Sequence, residues 1–353
     1  LEFLFDYGLF LAKIATVVIA IAGILVLAKG LSGRHGAPKG ELEVTDLTEQ
    51  YKHTVHQLES HLFDKPLLKA REKAEKKADK EKDKARQNEI KKAAKEGDLD
   101  HARESRLFVL DFHGSLDARE VTSLREEISA ILAVAVEGDE VLLRLETGGG
   151  MVHGYGLASS QLDRLKAAGI KLTVAVDKVA ASGGYMMACV ADKIISAPFA
   201  VVGSIGVIAQ LPNFNKVLKK NDIEFEQVTA GEFKRTLTMF GENTDKAREK
   251  FQSEIEETHG LFKDFIAVHR PELDLEKVAT GEHWFGQKAK ELGLVDELGT
   301  SDDFIVRACK EREVLGIHFI KHKKLAEKLA GVTGDAADNL LLKWMSRGQR
   351  PFM

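Results

Sequence analysis

Three short apolar runs, Leu107–Phe112, Val141–Leu145 and Leu172–Val176, restrict the fold of this chain more than any other feature. Segments with helical spacing separate them, one from Asp117 to Ala135 and one from the glycines at 148–150 through about Lys166. Short apolar strands alternating with helices predict an α/β fold with a mainly parallel sheet covered on both faces. In such sheets, sites form where strands end at their carboxyl side.

Two glycine turns fall at those ends. The second run continues into Glu146-Thr147-Gly148-Gly149-Gly150, and the third leads to Val179-Ala180-Ala181-Ser182-Gly183-Gly184-Tyr185, followed by an apolar helical pattern. A serine between strand and helix can present its hydroxyl while the next backbone N–H groups lack intrahelical acceptors. The same residues also fit a plain glycine-rich turn with a capping serine. Likewise, Gly148-Gly149-Gly150 fits either a tight strand-to-helix turn or a backbone that approaches a ligand closely.

A nucleophilic serine needs a base. His113, His153 and His283 lie in no triad-like setting. The other choice is a lysine held neutral by removal from water, as in Ser-Lys variants of the triad. Lys234 follows the strand-like Phe225-Glu226-Gln227-Val228-Thr229, but spacing alone does not select it from the many lysines of the chain.

The 353 residues allow a sizeable core, and a net charge of −4 points to no particular partner. Cys189 and Cys309 form no disulfide framework, and Cys189 falls in an apolar helix as a small core residue. No CxxC or HExxH pattern is present, so no metal site or other cofactor is expected. Residues 8–30 carry Lys13 as their one charge before Lys29 and reach the ~20 residues of a bilayer span, which predicts an uncleaved N-terminal transmembrane helix. The apolar-rich Val179–Leu211 is punctuated by Asp192, Lys193, Pro198 and several glycines, and reads as buried strand, turn and helix. Residues 65–104 are rich in Lys, Glu, Ala and Asp without an apolar face, so a solvated helix or disordered tether is expected. Its lysines lack the aromatic interleaving of a nucleic-acid binder and suit anionic lipid headgroups better.

The ordered motifs Leu143–Gly150, Ala180–Tyr185, Val202–Val207, Ala230–Lys234 and Gly293–Gly299 together resemble the signal peptide peptidase A family of serine peptidases. The resemblance spans about residues 105–310, and with anchor and tether the whole chain is similar to the SohB-type inner-membrane branch. It implies a Clp/crotonase-like ββα superhelix core and a Ser-Lys acyl-transfer mechanism without cofactor. Ser182 then matches the nucleophile, Lys234 the general base, and Ser204 the hydroxyl that orients the base. Gly183 matches one oxyanion donor, and Gly149 or Gly150 the other. The family turn usually reads Asn-Ser-Pro-Gly-Gly, whereas this chain has Glu-Thr-Gly-Gly-Gly, with Gly148 in the proline position. The implied substrates are apolar, signal-peptide-like or membrane-derived peptides, with Met186, Ile205 and Val207 near the site. Family members often form rings whose sites are lined by neighbouring subunits. The segment Thr244–Val268 and the tail Lys321–Met345 suit packing between copies or within one chain.

These readings divide the chain into an N-terminal segment 1–7, an anchor 8–30, a juxtamembrane segment 31–64, a tether 65–104, a peptidase domain 105–310 and a C-terminal strand and helical tail 311–353. The expected location is the bacterial inner membrane. The resemblance places the catalytic part in the periplasm, whereas Lys29, Arg34 and Lys39 after the anchor favour the cytoplasmic side. The competing functions are a crotonase-like acyl-thioester enzyme and a non-catalytic membrane scaffold.

Overall fold

A computed structural model describes residues 10, 13, 16, 40–96 and 105–321. The chain divides into a unit of residues 1–41 and 320–353 and a larger unit of residues 42–319. The larger unit contains nearly all the described elements. The described elements start with β1 (Gly40–Asp46), α1 (Leu47–Leu62) and α2 (Lys65–Glu96). The sheet-forming series follows: β2 (Arg106–His113), α3 (Val121–Val134), β3 (Glu140–Glu146), α4 (Val152–Ala167) and β4 (Lys171–Val176). Next come β5 (Val179–Ala181), α5 (Gly183–Ala188), β6 (Lys193–Ser196), β7 (Val201–Gly203) and α6 (Asn215–Lys220). The series closes with α7 (Asp245–His269), α8 (Leu275–Val278), β8 (His283–Phe285), α9 (Gly286–Glu291), β9 (Glu297–Leu298), α10 (Ser301–Glu311) and β10 (Glu313–Lys321).

Seven strands form one sheet in the order β1-β10-β2-β3-β4-β6-β9. Every pairing from β10 across to β9 is parallel. Alternation along the strands explains why both faces are buried. Phe108, Leu110, Phe112, Leu143, Leu145 and Val174 join the main core with Ile128, Leu162 and Tyr185. Leu107, Val109, Leu142 and Ala175 point the other way and pack with Ala308, Leu47 and Phe304. A smaller sheet, in the order β5-β7-β8, stands beside the larger one and carries the chain into the Ser182 turn.

Several sequence-based expectations are corrected here. The α/β class stands, with a larger sheet that is parallel from β10 to β9 and a smaller mixed one. The ββα superhelix does not, since no crotonase-type repeat is indicated: β2 and β3 each pass directly into a helix, and only later do two strands precede one. The expected anchor at residues 8–30 lies outside the described residues apart from Phe10, Lys13 and Thr16. Among the described residues, no helix is long and apolar enough to cross a membrane. The long helices α2 and α7, of 32 and 25 residues, carry charges along their length. The membrane-anchored peptidase, the lipid bilayer as partner and the inner-membrane location are therefore not retained.

Residues 40–62, expected beside a membrane, supply β1 and α1 instead, and Leu47 and Tyr51 of α1 pack against the second core cluster. The charged segment forms α2 through Glu96, and residues 97–104 and 322–353 lie outside the described residues. The strand-like Phe225–Thr229 forms no strand and is exposed, because no sheet edge reaches it. Both cysteines are buried, and burial pushes the Cys189 thiol well above its ordinary range.

The Gly293–Gly299 motif acts as a staple between layers. Asp296 accepts hydrogen bonds from the Ile194 N–H at 2.7 Å and from both Arg270 terminal nitrogens at 2.9 and 2.7 Å. Arg270 also donates to the Gly293 carbonyl. Burial by itself raises the Asp296 carboxyl, but Arg270 and the Ile194 N–H outweigh it and hold the group below its ordinary 3.8. For a half-buried pair of this kind, Asp296→Ala is expected to cost about 2 kcal/mol. A lowered folded pKa gives stability that is present above 3.8 and lost as pH falls through the lowered value. Urea midpoints of the parent and Asp296→Ala should therefore differ at neutral pH and converge in acid, and a gap that persists far below 3.8 contradicts the assignment.

Candidate active site

The end of β5 leaves Ser182 at φ 53° and ψ −116°, a conformation that non-glycine residues rarely hold. Two backbone bonds fix it there: its N–H donates to the Gly203 carbonyl at 2.8 Å, and its carbonyl accepts from the Met186 N–H at 3.0 Å. Ser182 occupies the N-cap position of α5, yet its side chain makes no capping hydrogen bond. The hydroxyl is thus not engaged in closing the helix, which removes the plain capping role. Ser204 holds a second left-handed conformation at φ 51°, with its N–H bonded to the Glu282 carbonyl at 2.7 Å.

Ser182 opens into a cavity of about 760 Å³. One side is the Gly148–Val152 turn, another is Ser204 with Gly206–Ile208, and Thr258, His259 and Phe262 of α7 form part of the wall. Gly149, at φ 84°, lies so close to the nucleophile turn that a Cβ there would stand 2.6 Å from the Ala181 carbonyl oxygen and 2.8 Å from Ser182 Cβ. Only glycine fits this approach. The Gly149 N–H is already bonded to Thr147 Oγ1 at 3.1 Å. The Gly150 N–H carries no such bond, and the Gly183 N–H, at the first position of α5, has no intrahelical acceptor. Gly150 and Gly183 therefore remain as amides able to meet an anion beside Ser182.

Of the expected site residues, Ser182, Gly183, Gly149, Gly150, Ser204, Met186 and Val207 line this one cavity. Ile205 does not: it is 0% exposed and packs in the main core. Lys234 does not line it either. It is exposed in the loop after Gly231, with its N–H bonded to the Gly231 carbonyl at 3.2 Å. His113, His153 and His283 are exposed and do not line the cavity. His259 was not singled out from the sequence, yet it lies in the wall with Nε2 buried and without a hydrogen-bond partner. Its position on the inner face of a long helix, between Thr258 and Phe262, was the available signal.

A hydroxyl held at a strained strand-to-helix turn, with free amides lining the same open cleft, is the apparatus of acyl-transfer hydrolases that work through a serine. Comparison with known proteins narrows that class. The model of the peptidase family S49 N-terminal region matches residues 2–162, and that of peptidase family S49 matches residues 164–315. The chain belongs to peptidase family S49, and it is a serine peptidase similar to the SohB proteins. It is 51% identical to a probable protease SohB of Haemophilus influenzae over 352 residues, covering 100% of this chain and 99% of that one. It is 50% identical to a probable protease SohB of Buchnera aphidicola from Acyrthosiphon pisum, covering 97% of each chain. Against the corresponding protein of Buchnera aphidicola from Schlechtendalia chinensis, identity is 50% with 87% of this chain and 99% of the other covered.

The strain at Ser182 has a measurable consequence. Ser182→Gly is expected to raise unfolding stability by about 1 kcal/mol, because glycine holds this conformation without cost. Ser182→Ala, which keeps the Cβ, should stay within about 0.5 kcal/mol of the parent. Chemical denaturation of both variants checks this, and a glycine variant less stable than the alanine variant contradicts it.

Proposed function

We propose that Ser182 is the nucleophile of an endopeptidase acting on extended peptides with apolar side chains near the cut. The observation that carries this is the uncapped Ser182 hydroxyl, at positive φ, beside the free Gly150 and Gly183 amides. Ser182 Oγ attacks the peptide carbonyl, and the two N–H groups hold the oxyanion; one such donor is typically worth roughly 3–4 kcal/mol of barrier. Lys234, in its neutral form, takes the hydroxyl proton and returns it to the leaving amine. Water then hydrolyses the acyl-enzyme, with Ser204 orienting the lysine. The apolar rim of Leu116, Met151, Val152, Val207 and Ile208, with Met186 and Phe262 deeper in, favours apolar side chains over charged ones.

Lys234 reaches Ser182 through assembly. The loop region that carries it exposes Phe225, Phe233 and Val228, the last 96% exposed, an apolar surface that a second copy of the chain would cover. Ring formation of the kind the family resemblance implies would bury this surface and take the lysine out of water, which disfavours the charged form of an amine.

Turnover of a fluorogenic apolar peptide tests the assignment. Ser182→Ala, Lys234→Ala and Lys234→Arg should each lose roughly 10³-fold or more, since arginine cannot serve as a base. Co-expressed Ser182→Ala and Lys234→Ala chains should regain part of the activity that each lacks alone, because a mixed assembly pairs an intact serine with an intact lysine. A near-normal Lys234→Arg enzyme contradicts the base assignment. Loss on His259→Gln without loss on Lys234→Ala moves that role to the imidazole in the wall.

A further inference from the structure

We infer that Thr147 and Tyr155 form a buried hydroxyl clamp that aims both amides of the oxyanion site, and that they are positioning residues for catalysis. The inference rests on the reading of Ser182 as nucleophile. Neither residue contacts the cavity, and no motif of the sequence analysis gave either a role.

The two side chains sit directly behind the site. Tyr155, on α4, is 0% exposed, and Thr147, just after β3, is 3% exposed. Their hydroxyls share a hydrogen bond, with Tyr155 Oη 2.5 Å from Thr147 Oγ1. Tyr155 Oη also lies 2.8 Å from the Ser115 carbonyl, and Thr147 Oγ1 lies 3.2 Å from the Gly114 carbonyl. Thr147 Oγ1 accepts the Gly149 N–H at 3.1 Å. A hydroxyl has one proton to give and can accept twice, so the two hydroxyls serve two of these three oxygen contacts at a time: with Tyr155 donating to the Ser115 carbonyl, Thr147 donates to Tyr155 Oη and accepts the Gly149 N–H. The Gly149 bond fixes the Gly148–Gly149 peptide plane, so that only the Gly149 φ and ψ stand between the clamp and the plane that carries the Gly150 N–H; on the far side a Cβ on Gly150 would collide with the Leu116 carbonyl, which accepts from the Met151 N–H at 2.8 Å.

The clamp reaches the other amide by packing. A Cβ on Gly183 would collide with the Tyr155 side chain at its Cβ and Cγ, so the Gly183 backbone lies directly against it. A Cβ on Gly184 would meet Thr147 Cγ2 at 2.8 Å, and one on Gly114 would meet both hydroxyls at 2.5 and 2.6 Å. Thr147 also ties the two turns through its backbone: its N–H donates to Val179 O at 2.9 Å, and its carbonyl accepts from Ala181 N–H at 3.1 Å. The Thr147 hydroxyl thus holds the residue before the Gly150 amide, and the Tyr155 ring backs the residue that carries the Gly183 amide. This chain has glycine at 148, where the resembling family usually has proline. A side-chain acceptor for Gly149 restores order to a turn that lacks the fixed φ of proline.

The test compares Thr147→Val, Thr147→Ser, Tyr155→Phe and the double Thr147→Val/Tyr155→Phe with the parent in the full-length protein. Thr147→Val and Tyr155→Phe keep side-chain volume nearly constant, and thermal melts report whether the fold survives. Thr147→Val is expected to lower kcat roughly 10- to 100-fold with KM nearly unchanged, because the amides act on the oxyanion more than on the bound peptide. Thr147→Ser, which restores the acceptor, should recover most of the loss. Tyr155→Phe should lose less, and the double variant should lose less than the product of the two single losses. A peptide aldehyde, whose adduct with serine places an oxyanion in the same position, should bind more weakly to Thr147→Val by the same factor as the fall in kcat/KM. A structural role alone would lower melting temperature without that parallel. If Thr147→Val does not fold, the Tyr155→Phe kinetics and aldehyde affinity decide. Ser182→Ala is measured alongside. If it stays active, the nucleophile reading fails. If it is inactive while folded Thr147→Val or Tyr155→Phe variants keep parental kcat and aldehyde affinity, the clamp alone is overturned.

Discussion

The backbone pairing of Thr147 with the strand that leads to Ser182 is the constraint on which the site depends. β3 ends at Glu146, and one residue further the chain bonds to Val179 and Ala181 of β5. That pairing is possible because β3 and β4 run parallel in a register that places Val141 beside Leu172 and Arg144 beside Ala175. The ends of both strands then arrive together, with the glycine turn on one side and the serine turn on the other. Parallel strands need long crossovers, and α3 and α4 supply them while burying the core side of the sheet. The strained serine conformation persists because the residues after it are locked: every residue of α5 is buried, and Tyr185 donates to the Leu294 carbonyl at 3.1 Å.

Much of the parallel core was legible because its signals are local. The three apolar runs fall within β2, β3 and β4, and Thr244, which opens the expected helix, caps α7 by accepting from the Ala247 N–H at 3.2 Å. The glycine turns announced close backbone approach, and Gly149 and Gly183 have it. What escaped was set by distant partners. The β5-β7-β8 sheet uses strands of three residues each, too short for periodicity to register. Residues 40–62 fell within the expected juxtamembrane segment 31–64, because their burial depends on α10 and the outer sheet face. Phe225–Thr229 reads as strand-like in isolation but forms no strand.

The site shows the same division. Ser182 and its amides belong to contiguous turns and were readable as such, whereas the choice among the Gly148–Gly150 amides needed the Thr147 hydroxyl, whose direction no spacing rule gives. Ile205 looked like a pocket residue beside Ser204 but turns inward, because its neighbours at 204 and 206 face the cavity while its own side chain joins the core. Lys234 is the extreme case: its proposed role depends on contacts that a single chain does not make. Hydropathy suggested a membrane anchor, but none of the described helices has the length and apolarity to form one.

The central claim is that the Ser182 hydroxyl is the reactive nucleophile of the assembled protein. Treating the full-length enzyme with a fluorophosphonate and mapping the adduct by peptide mass spectrometry tests it most directly. The account predicts one modified serine, Ser182, with labelling that disappears when the protein is unfolded. Modification at Ser204 or another serine, or no modification of folded protein that still cleaves peptide, would contradict it.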